Sequence, residues 1–274
     1  MKTAFVLSGG ASLGSIQAGM LQALYERRVR PDLIVATSAG ALNGAFVAAR
    51  PQTVSTAVEL AEIWIELRRG HVFPLNPVSG LLGFRGAREH LVPDSGLRDL
   101  IGRHLTAGRI EELAIPLHLV ATDVRKGEEV RLSRGPLVDS VLASAAIPGV
   151  LPSVRLHDRD LMDGGVANNT PISHAVELGA ERIYVLPTGM SCELDEPPHG
   201  AIGMVLHATN LLVHRRLLED IERFRDQVEL VVLPPPCPID VQPMDFSQAE
   251  CLIERALAES RRALSLAEPV PLPH

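Results

Sequence analysis

The chain of 274 residues has the length of one large domain, a formal net charge of −7, and a composition that is 46% hydrophobic but only 3% aromatic. Such a core is built mainly from Leu, Val, Ile and Ala, which fits layered α/β proteins whose parallel strands are buried on both faces. The negative balance argues against a nucleic-acid partner and leaves no broad basic surface for anionic lipid.

Three cysteines, Cys192, Cys237 and Cys251, show no C-x-x-C spacing and an odd count. That argues against a disulfide framework or a zinc site and makes a reducing cytosol the default. The run Met1 to Leu7 is interrupted by Gly9 and Gly10 and is too short for a secretory signal. No segment approaches the ~18 uninterrupted apolar residues of a membrane span. The expectation is a cytoplasmic protein that contacts membranes only peripherally.

Thr3 to Leu7 reads as a buried strand, followed by the loop Ser8-Gly9-Gly10-Ala11-Ser12-Leu13-Gly14 and a helix over Ser15 to Arg27 with Ile16, Met20, Leu21 and Leu24 at helical spacing. Asp32 to Val35 ends a second strand, so these elements form a right-handed parallel βαβ unit. The next stretch, Ala36-Thr37-Ser38-Ala39-Gly40, pins a serine between that strand and a helix over Ala39 to Ala49. Small residues two before and two after the serine are what a nucleophile elbow requires, because bulkier neighbours would collide in so sharp a turn. The helix N-terminus beneath Ser38 favours a developing negative oxygen. The same pattern also suits an ordinary helix cap.

Val54 to Arg69 reads as a helix containing Trp64, the sole tryptophan. From 71 to 93 the chain is apolar yet broken by Pro and Gly; it reads either as a packed connecting loop or as a cap facing lipid. A helix follows over Leu97 to Leu105, then a strand over Leu117 to Asp123 with a hairpin partner at Glu129 to Leu132, and a small-residue helix over Val138 to Ala146. Leu156 to Met162 leads into Asp163-Gly164-Gly165, a pattern that alone reads as a hairpin turn. Beyond lie a helix over Pro171 to Leu178, a strand over Arg182 to Leu186, a polar loop over Ser191 to Gly200, a long helix over Ile202 to Phe224, a strand over Glu229 to Leu233 and an amphipathic helix over Ser247 to Leu266. Alternating strands and helices without repeats or linkers predict one three-layer α/β/α sandwich over 1–274 with a mostly parallel central sheet.

The Gly-rich loop lacks the third glycine of a dinucleotide fingerprint, where Ala11 stands, and the lysine of a phosphate-binding P-loop. What remains is a run of backbone N–H groups at a helix start, suited to an oxyanion as readily as to a phosphate. Taken together and in order, Ser8 to Gly14 with Gln17-Ala18-Gly19, Ala36 to Gly40 with Asn43-Gly44, and Ala143-Ser144-x-Ala146-x-Pro148 followed by Asp163-Gly164-Gly165 and Asn168 resemble the three motif blocks of patatin-like phospholipases. A fainter echo lies at Phe246 to Arg255. Three departures stand out: Ala11 for glycine, Leu13 for the usual basic residue, and Ala36 for the first elbow glycine.

The resemblance implies a serine acyl hydrolase acting on lipid or phospholipid carboxylic esters. Its nucleophile would be Ser38, its general base Asp163, and its oxyanion hole Gly9, Gly10 and Ala11, with Gly14, Ala36, Gly40, Gly164 and Gly165 as supporting small residues. It implies no metal and no cofactor, an acyl-ester substrate as partner, and an aspartate base in place of a histidine, although His174, His199, His207 and His214 are available for a triad. Leu13 removes a positive charge near the expected site and weakens the case for an anionic headgroup. An acyltransferase or thioesterase, or a catalytically silent lipid-binding protein, would share the same scaffold. Oligomeric state is not legible.

Overall fold

The computed structural model describes residues 1–73, 90–189, 200–237, 241 and 244–266. The strands are β1 (Thr3–Leu7), β2 (Leu33–Thr37), β3 (Leu117–Asp123), β4 (Glu129–Leu132), β5 (Val154–Leu156), β6 (Arg159–Asp163), β7 (Arg182–Leu186) and β8 (Glu229–Val232). The helices, numbered in chain order, are α1 (Ile16–Glu26), α2 (Ala39–Ala48), α3 (Val54–Glu66), α4 (Arg69–Val72), α5 (Ser95–His104), α6 (Leu137–Ser144), α7 (Gly165–Asn168), α8 (Ile172–Glu177), α9 (Gly200–Phe224) and α10 (Ala249–Leu266). One mixed sheet contains all eight strands: β3, β2, β1, β7 and β8 run parallel side by side, while β4, β6 and β5 add antiparallel pairings at the β3 end.

The period-two alternation of a strand explains the layering. Phe5, Leu7, Ile34, Ala36, Leu119 and Ala121 point into a core shared with residues of α1, α2, α3 and α10. Their neighbours Ala4, Val6, Leu33, Val35 and Val120 point into a second core with Ile172 and Ala175 of α8 and Leu217 and Phe224 of α9. Both faces of the parallel strands are therefore covered, which is why these strands read as continuous apolar runs.

Local differences from the sequence reading have identifiable causes. The stretch from Leu156 to Met162, read only as leading into Asp163-Gly164-Gly165, holds the turn between β5 and β6, because His157 (φ 49°) and Asp158 (φ 61°) both adopt left-handed backbone and turn the chain back on itself. The helix start at 11–15 is a separate 3-10 turn before α1. Cys237 is disulfide-bonded, whereas Cys251 is free and exposed, which corrects the reading of the cysteines as unbridged: an odd count leaves one thiol over but does not prevent a single bridge. The expected cap at 71–93 lies at 74–89 outside the described residues, as does the polar loop at 191–199. Among the described residues no helix is long and apolar enough to cross a membrane.

α1 and α10 approach closely at Gly19 of α1. A methyl group there would meet the Ile253 carbonyl and come within 2.9 Å of the Leu257 nitrogen of α10. Near the helix ends, Arg261 holds Glu26 through two hydrogen bonds of 2.7 and 2.8 Å. We predict that Gly19→Ala forces α10 outward and destabilises the protein by about 1–3 kcal/mol, seen as a lower denaturant midpoint with an unchanged slope.

Candidate active site

Three adjacent parallel strands, β2, β1 and β7, end on the same edge of the sheet, and the chain leaves each of them at a polar position: Ser38 after β2, Ser8 to Gly10 after β1, and Thr188 shortly after β7. Carboxyl ends of parallel strands are where open α/β sheets bind ligands. A fourth element arrives from the opposite direction. β3 pairs with β2 along Leu117–Val120 and with β6 along Ala121–Asp123, while β4 takes Leu119–Thr122. β2 and β6 therefore share one edge of β3 and approach each other end to end, which brings Asp163 to Ser38.

Ser38 Oγ donates a hydrogen bond to Asp163 Oδ2 at 2.6 Å, and both residues are buried. Ser38 sits at φ 54°, ψ −121°, a backbone conformation that β-carbon-bearing residues avoid and that is worth about 1–3 kcal/mol of strain. Neighbouring contacts hold it there. Its N–H donates to Ser144 Oγ (3.0 Å), and that hydroxyl in turn donates to the Val120 carbonyl (2.6 Å). Its own carbonyl accepts the Ala41 N–H of α2 at 2.8 Å. Gly40 permits the turn because any side chain would run into the carbonyls of Leu7 and Ser8. Ala36 is fully buried, and its methyl fits because the residue facing it is Gly44, where an added carbon would lie 3.2 Å away.

Asp163 is placed just as firmly. Its N–H donates to the Ala146 carbonyl (2.9 Å), and its carbonyl accepts from Thr122 Oγ1 (2.9 Å). Its second carboxylate oxygen accepts the Gly165 N–H at 2.7 Å. Gly164 has no room for a side chain, which would meet the Val120 carbonyl, and a methyl on Gly165 would lie 2.8 Å from Asn169 Oδ1. Burial pushes the Asp163 carboxyl up to about 6, against the opposing pull of the Ser38 and Gly165 hydrogen bonds.

In the Gly-rich loop the three residues singled out are not equivalent. The Gly9 N–H is taken up by the Asn169 carbonyl (3.1 Å). Among the described residues the N–H groups of Gly10 and Ala11 have no acceptor. Ala11 stands at φ 51°, in the region glycine enters freely, so its methyl is held at a local cost of about 1–2 kcal/mol. Gly14 lies against α2 and α3; a methyl there would come within 2.7 Å of Ala39 Cβ and 2.9 Å of the Trp64 ring. Beneath the loop, Gln17 donates to the carbonyls of Ser8 and Leu186 (both 2.9 Å), and Asn43 donates to Gly14 (2.9 Å) while accepting from Trp64 Nε1 (2.8 Å).

Ser38 opens onto a cavity walled by Leu42, Phe46, Trp64, Phe73, Leu97, Leu100, Ile101, Leu105 and Phe246, among others. Phe246 stacks on Trp64 with ring centres 6.2 Å apart, so the segment before α10 contributes part of the wall. The spacing of these residues gave no sign of a shared cavity, because they come from five separate parts of the chain. Ser144 belongs to the third motif block, but its role, like those of Asn169 and Thr188, is not legible in the sequence, as each acts through a backbone group of another element. His104 also lines the cavity, and burial lowers its pKa. His174 is instead engaged with Glu129 (2.8 Å) and Glu177 (3.4 Å). Among the described residues no histidine hydrogen-bonds to Ser38 or Asp163, and no group of three His, Cys, Asp or Glu side chains could hold a metal ion.

A family model described as patatin-like phospholipase matches residues 5–176. Mouse patatin-like phospholipase domain-containing protein 7 is 28% identical over 207 residues, 72% of this chain and 14% of that protein. An uncharacterised NTE-family protein of Mycobacterium tuberculosis is 32% identical over 182 residues, 66% of this chain and 47% of that protein. The chain thus spans less than half the length of these curated relatives. Human group IVD cytosolic phospholipase A2, solved in complex with methyl gamma-linolenyl fluorophosphonate, has the same fold with a TM-score of 0.51 at 12% identity, over 97% of this chain and 58% of that one. The matched residues run from β1 through α8 and include Ser38, Asp163 and the Gly-rich loop: the chain belongs to the patatin-like phospholipase family.

Proposed function

We propose that the chain is a serine acyl hydrolase that cleaves carboxylic esters of lipids through a Ser38–Asp163 dyad and an acyl-enzyme intermediate, within one hydrolase domain over 1–274. The observation that carries this reading is the 2.6 Å hydrogen bond from Ser38 Oγ to Asp163 Oδ2 at the mouth of an apolar cavity. A serine hydroxyl is a poor nucleophile until a base takes its proton. An ordinary aspartate is too weakly basic to do this well, and the rise of the Asp163 carboxyl to about 6 brings it nearer the working pH of a general base.

In the first half-reaction Asp163 takes the Ser38 proton as Oγ bonds to the ester carbonyl carbon. The carbonyl oxygen becomes an oxyanion, which the free N–H groups of Gly10 and Ala11 and the N-terminal end of α2 would stabilise. Collapse breaks the bond to the alcohol, which leaves with the proton from Asp163. A water molecule then gives its proton to Asp163 and attacks the acyl carbon; collapse breaks the bond to Ser38 Oγ, which takes the proton back from Asp163 as the carboxylic acid leaves. Aliphatic and aromatic side chains around Ser38 supply a dry channel for an acyl chain, which would leave water and its parent lipid surface on entry. The protein would meet that surface peripherally. A fluorophosphonate bearing a long unsaturated hydrocarbon chain, of the kind bound by the human phospholipase A2, combines the two features that this site would recognise.

Ser38→Ala and Asp163→Asn are each expected to lower kcat on a long-chain p-nitrophenyl ester by at least about a thousandfold while keeping a native circular dichroism spectrum. A wild-type rate for either variant contradicts the dyad. The activity of the native protein should rise with pH through about 6 and then level, because only ionised Asp163 accepts a proton.

Stability carries the opposite sign. The folded protein holds the Asp163 proton up to about 6, whereas the unfolded chain loses it near 3.8, so stability falls as pH rises between these values. Asp163→Asn mimics the protonated form at every pH. Denaturant titrations should therefore find it more stable than wild type by about 2–3 kcal/mol at pH 8, with the difference vanishing below pH 4.

A further inference from the structure

The geometry points to Thr188 and Asn169 as positioning residues that aim the Gly10 N–H at the oxyanion by holding the Gly9 carbonyl from behind; the inference rests on the acyl-hydrolase reading of Ser38. Thr188 Oγ1 donates to the Gly9 carbonyl oxygen, and Asn169 Nδ2 donates to the same oxygen at 3.3 Å. Asn169 also receives the Gly9 N–H through its own carbonyl at 3.1 Å, so Gly9 is held on both sides. Thr188 is fixed in turn, since its N–H donates to Ser8 Oγ at 2.9 Å.

A trans peptide unit carries its C=O and N–H on opposite sides. With the Gly9 carbonyl drawn toward Thr188 and Asn169, the Gly10 N–H of the same unit must face away from them. The unit runs against the nucleophile: a methyl on Gly9 would meet Asn169 Oδ1 and lie 2.9 Å from Ser38 Cβ, whereas one on Gly10 would strike the Thr188 side chain. The Gly10 N–H, with no acceptor among the described residues, is left for the reacting oxygen. Two consecutive glycines allow this unit to rotate freely, and a rotated unit would present a carbonyl oxygen to a negative charge. Thr188, buried at 4% exposure, and Asn169 remove that freedom. Neither residue needs to touch substrate. Their contribution appears only when charge develops on the reacting oxygen, so it belongs to kcat and to the rate of acylation rather than to ground-state binding.

The test is the rate at which an alkyl fluorophosphonate labels Ser38, read by mass spectrometry, together with kcat and KM on a p-nitrophenyl ester. The proteins compared are wild type, Thr188→Val, Thr188→Ser and Asn169→Ala. Thr188→Val keeps the shape and loses the hydroxyl; it is expected to slow labelling and lower kcat about tenfold to a hundredfold, with KM within about twofold. Thr188→Ser restores the donor and should recover most of the rate. Asn169→Ala leaves its carbonyl in place for the Gly9 N–H and should give a smaller loss in the same direction, which keeps the test available if Thr188→Val does not fold. Labelled wild type with undiminished rates in Thr188→Val or Asn169→Ala, or equal losses in Thr188→Val and Thr188→Ser, would overturn the positioning role. Failure of the wild type itself to be labelled at Ser38 would instead remove the acyl-hydrolase reading on which it rests.

Discussion

The hydrogen bond between Ser38 and Asp163 joins two residues 125 positions apart, and much of the sheet edge is arranged to make it. β2 and β6 meet end to end along β3, so the serine leaving one strand faces the aspartate closing the other. Such a junction would leave backbone groups unpaired at both strand ends. Ser144 answers for several of them: its hydroxyl takes the Ser38 N–H and gives to the Val120 carbonyl, and its own carbonyl takes the Gly164 N–H at 3.2 Å. A strained serine and a buried carboxyl are thus held by neighbours that are themselves fully committed.

The same burial sets the chemistry. A carboxylate in water would be a weak base, and a carboxyl with no partner in an apolar site would remain protonated. At Asp163, desolvation raises the pKa while two hydrogen bonds restrain the rise, leaving it at about 6. The destabilisation of the ionised form is a feature that packing elsewhere must offset. The two sheet cores, with Phe5, Leu7, Ile34 and Leu119 on one side and Val6, Val35 and Val120 on the other, supply that reserve.

The alternation of apolar strands and periodic helices made the layered α/β architecture legible, and the strand limits at Thr3 to Leu7, Leu117 to Asp123 and Arg182 to Leu186 match those observed. The elbow could be read because steric crowding restricts composition locally: small residues must flank Ser38. Asp163 was a different case. Asp-Gly-Gly is also ordinary turn chemistry, and only its resemblance to a family motif singled it out. The His157-Asp158 turn carries no glycine or asparagine to mark it, although both residues adopt left-handed backbone. Nothing in the spacing of Ser144, Asn169 or Thr188 reveals their roles, since their partners are backbone groups of the elbow, of β3 and of the Gly-rich loop, far off in sequence. The commitment of the Gly9 N–H to Asn169, which among the described residues leaves Gly10 and Ala11 as the free donors, depends on the same kind of long-range contact.

The two relatives compared are longer than this chain, and the family model covers the segment that holds Ser38, Asp163 and the Gly-rich loop. On the proposed reading, the groups that would do the chemistry all lie at one sheet edge beside α2 and the apolar walls around Ser38. The central claim is that Ser38 becomes covalently acylated. The most direct measurement is an acid-quenched reaction with a long-chain p-nitrophenyl ester, followed by peptide mapping. The account predicts one acyl group on the peptide containing Ser38 in the wild type and none in Asp163→Asn. An acyl group on Ser144, Cys251 or a histidine, with Ser38 unmodified during turnover, would contradict it.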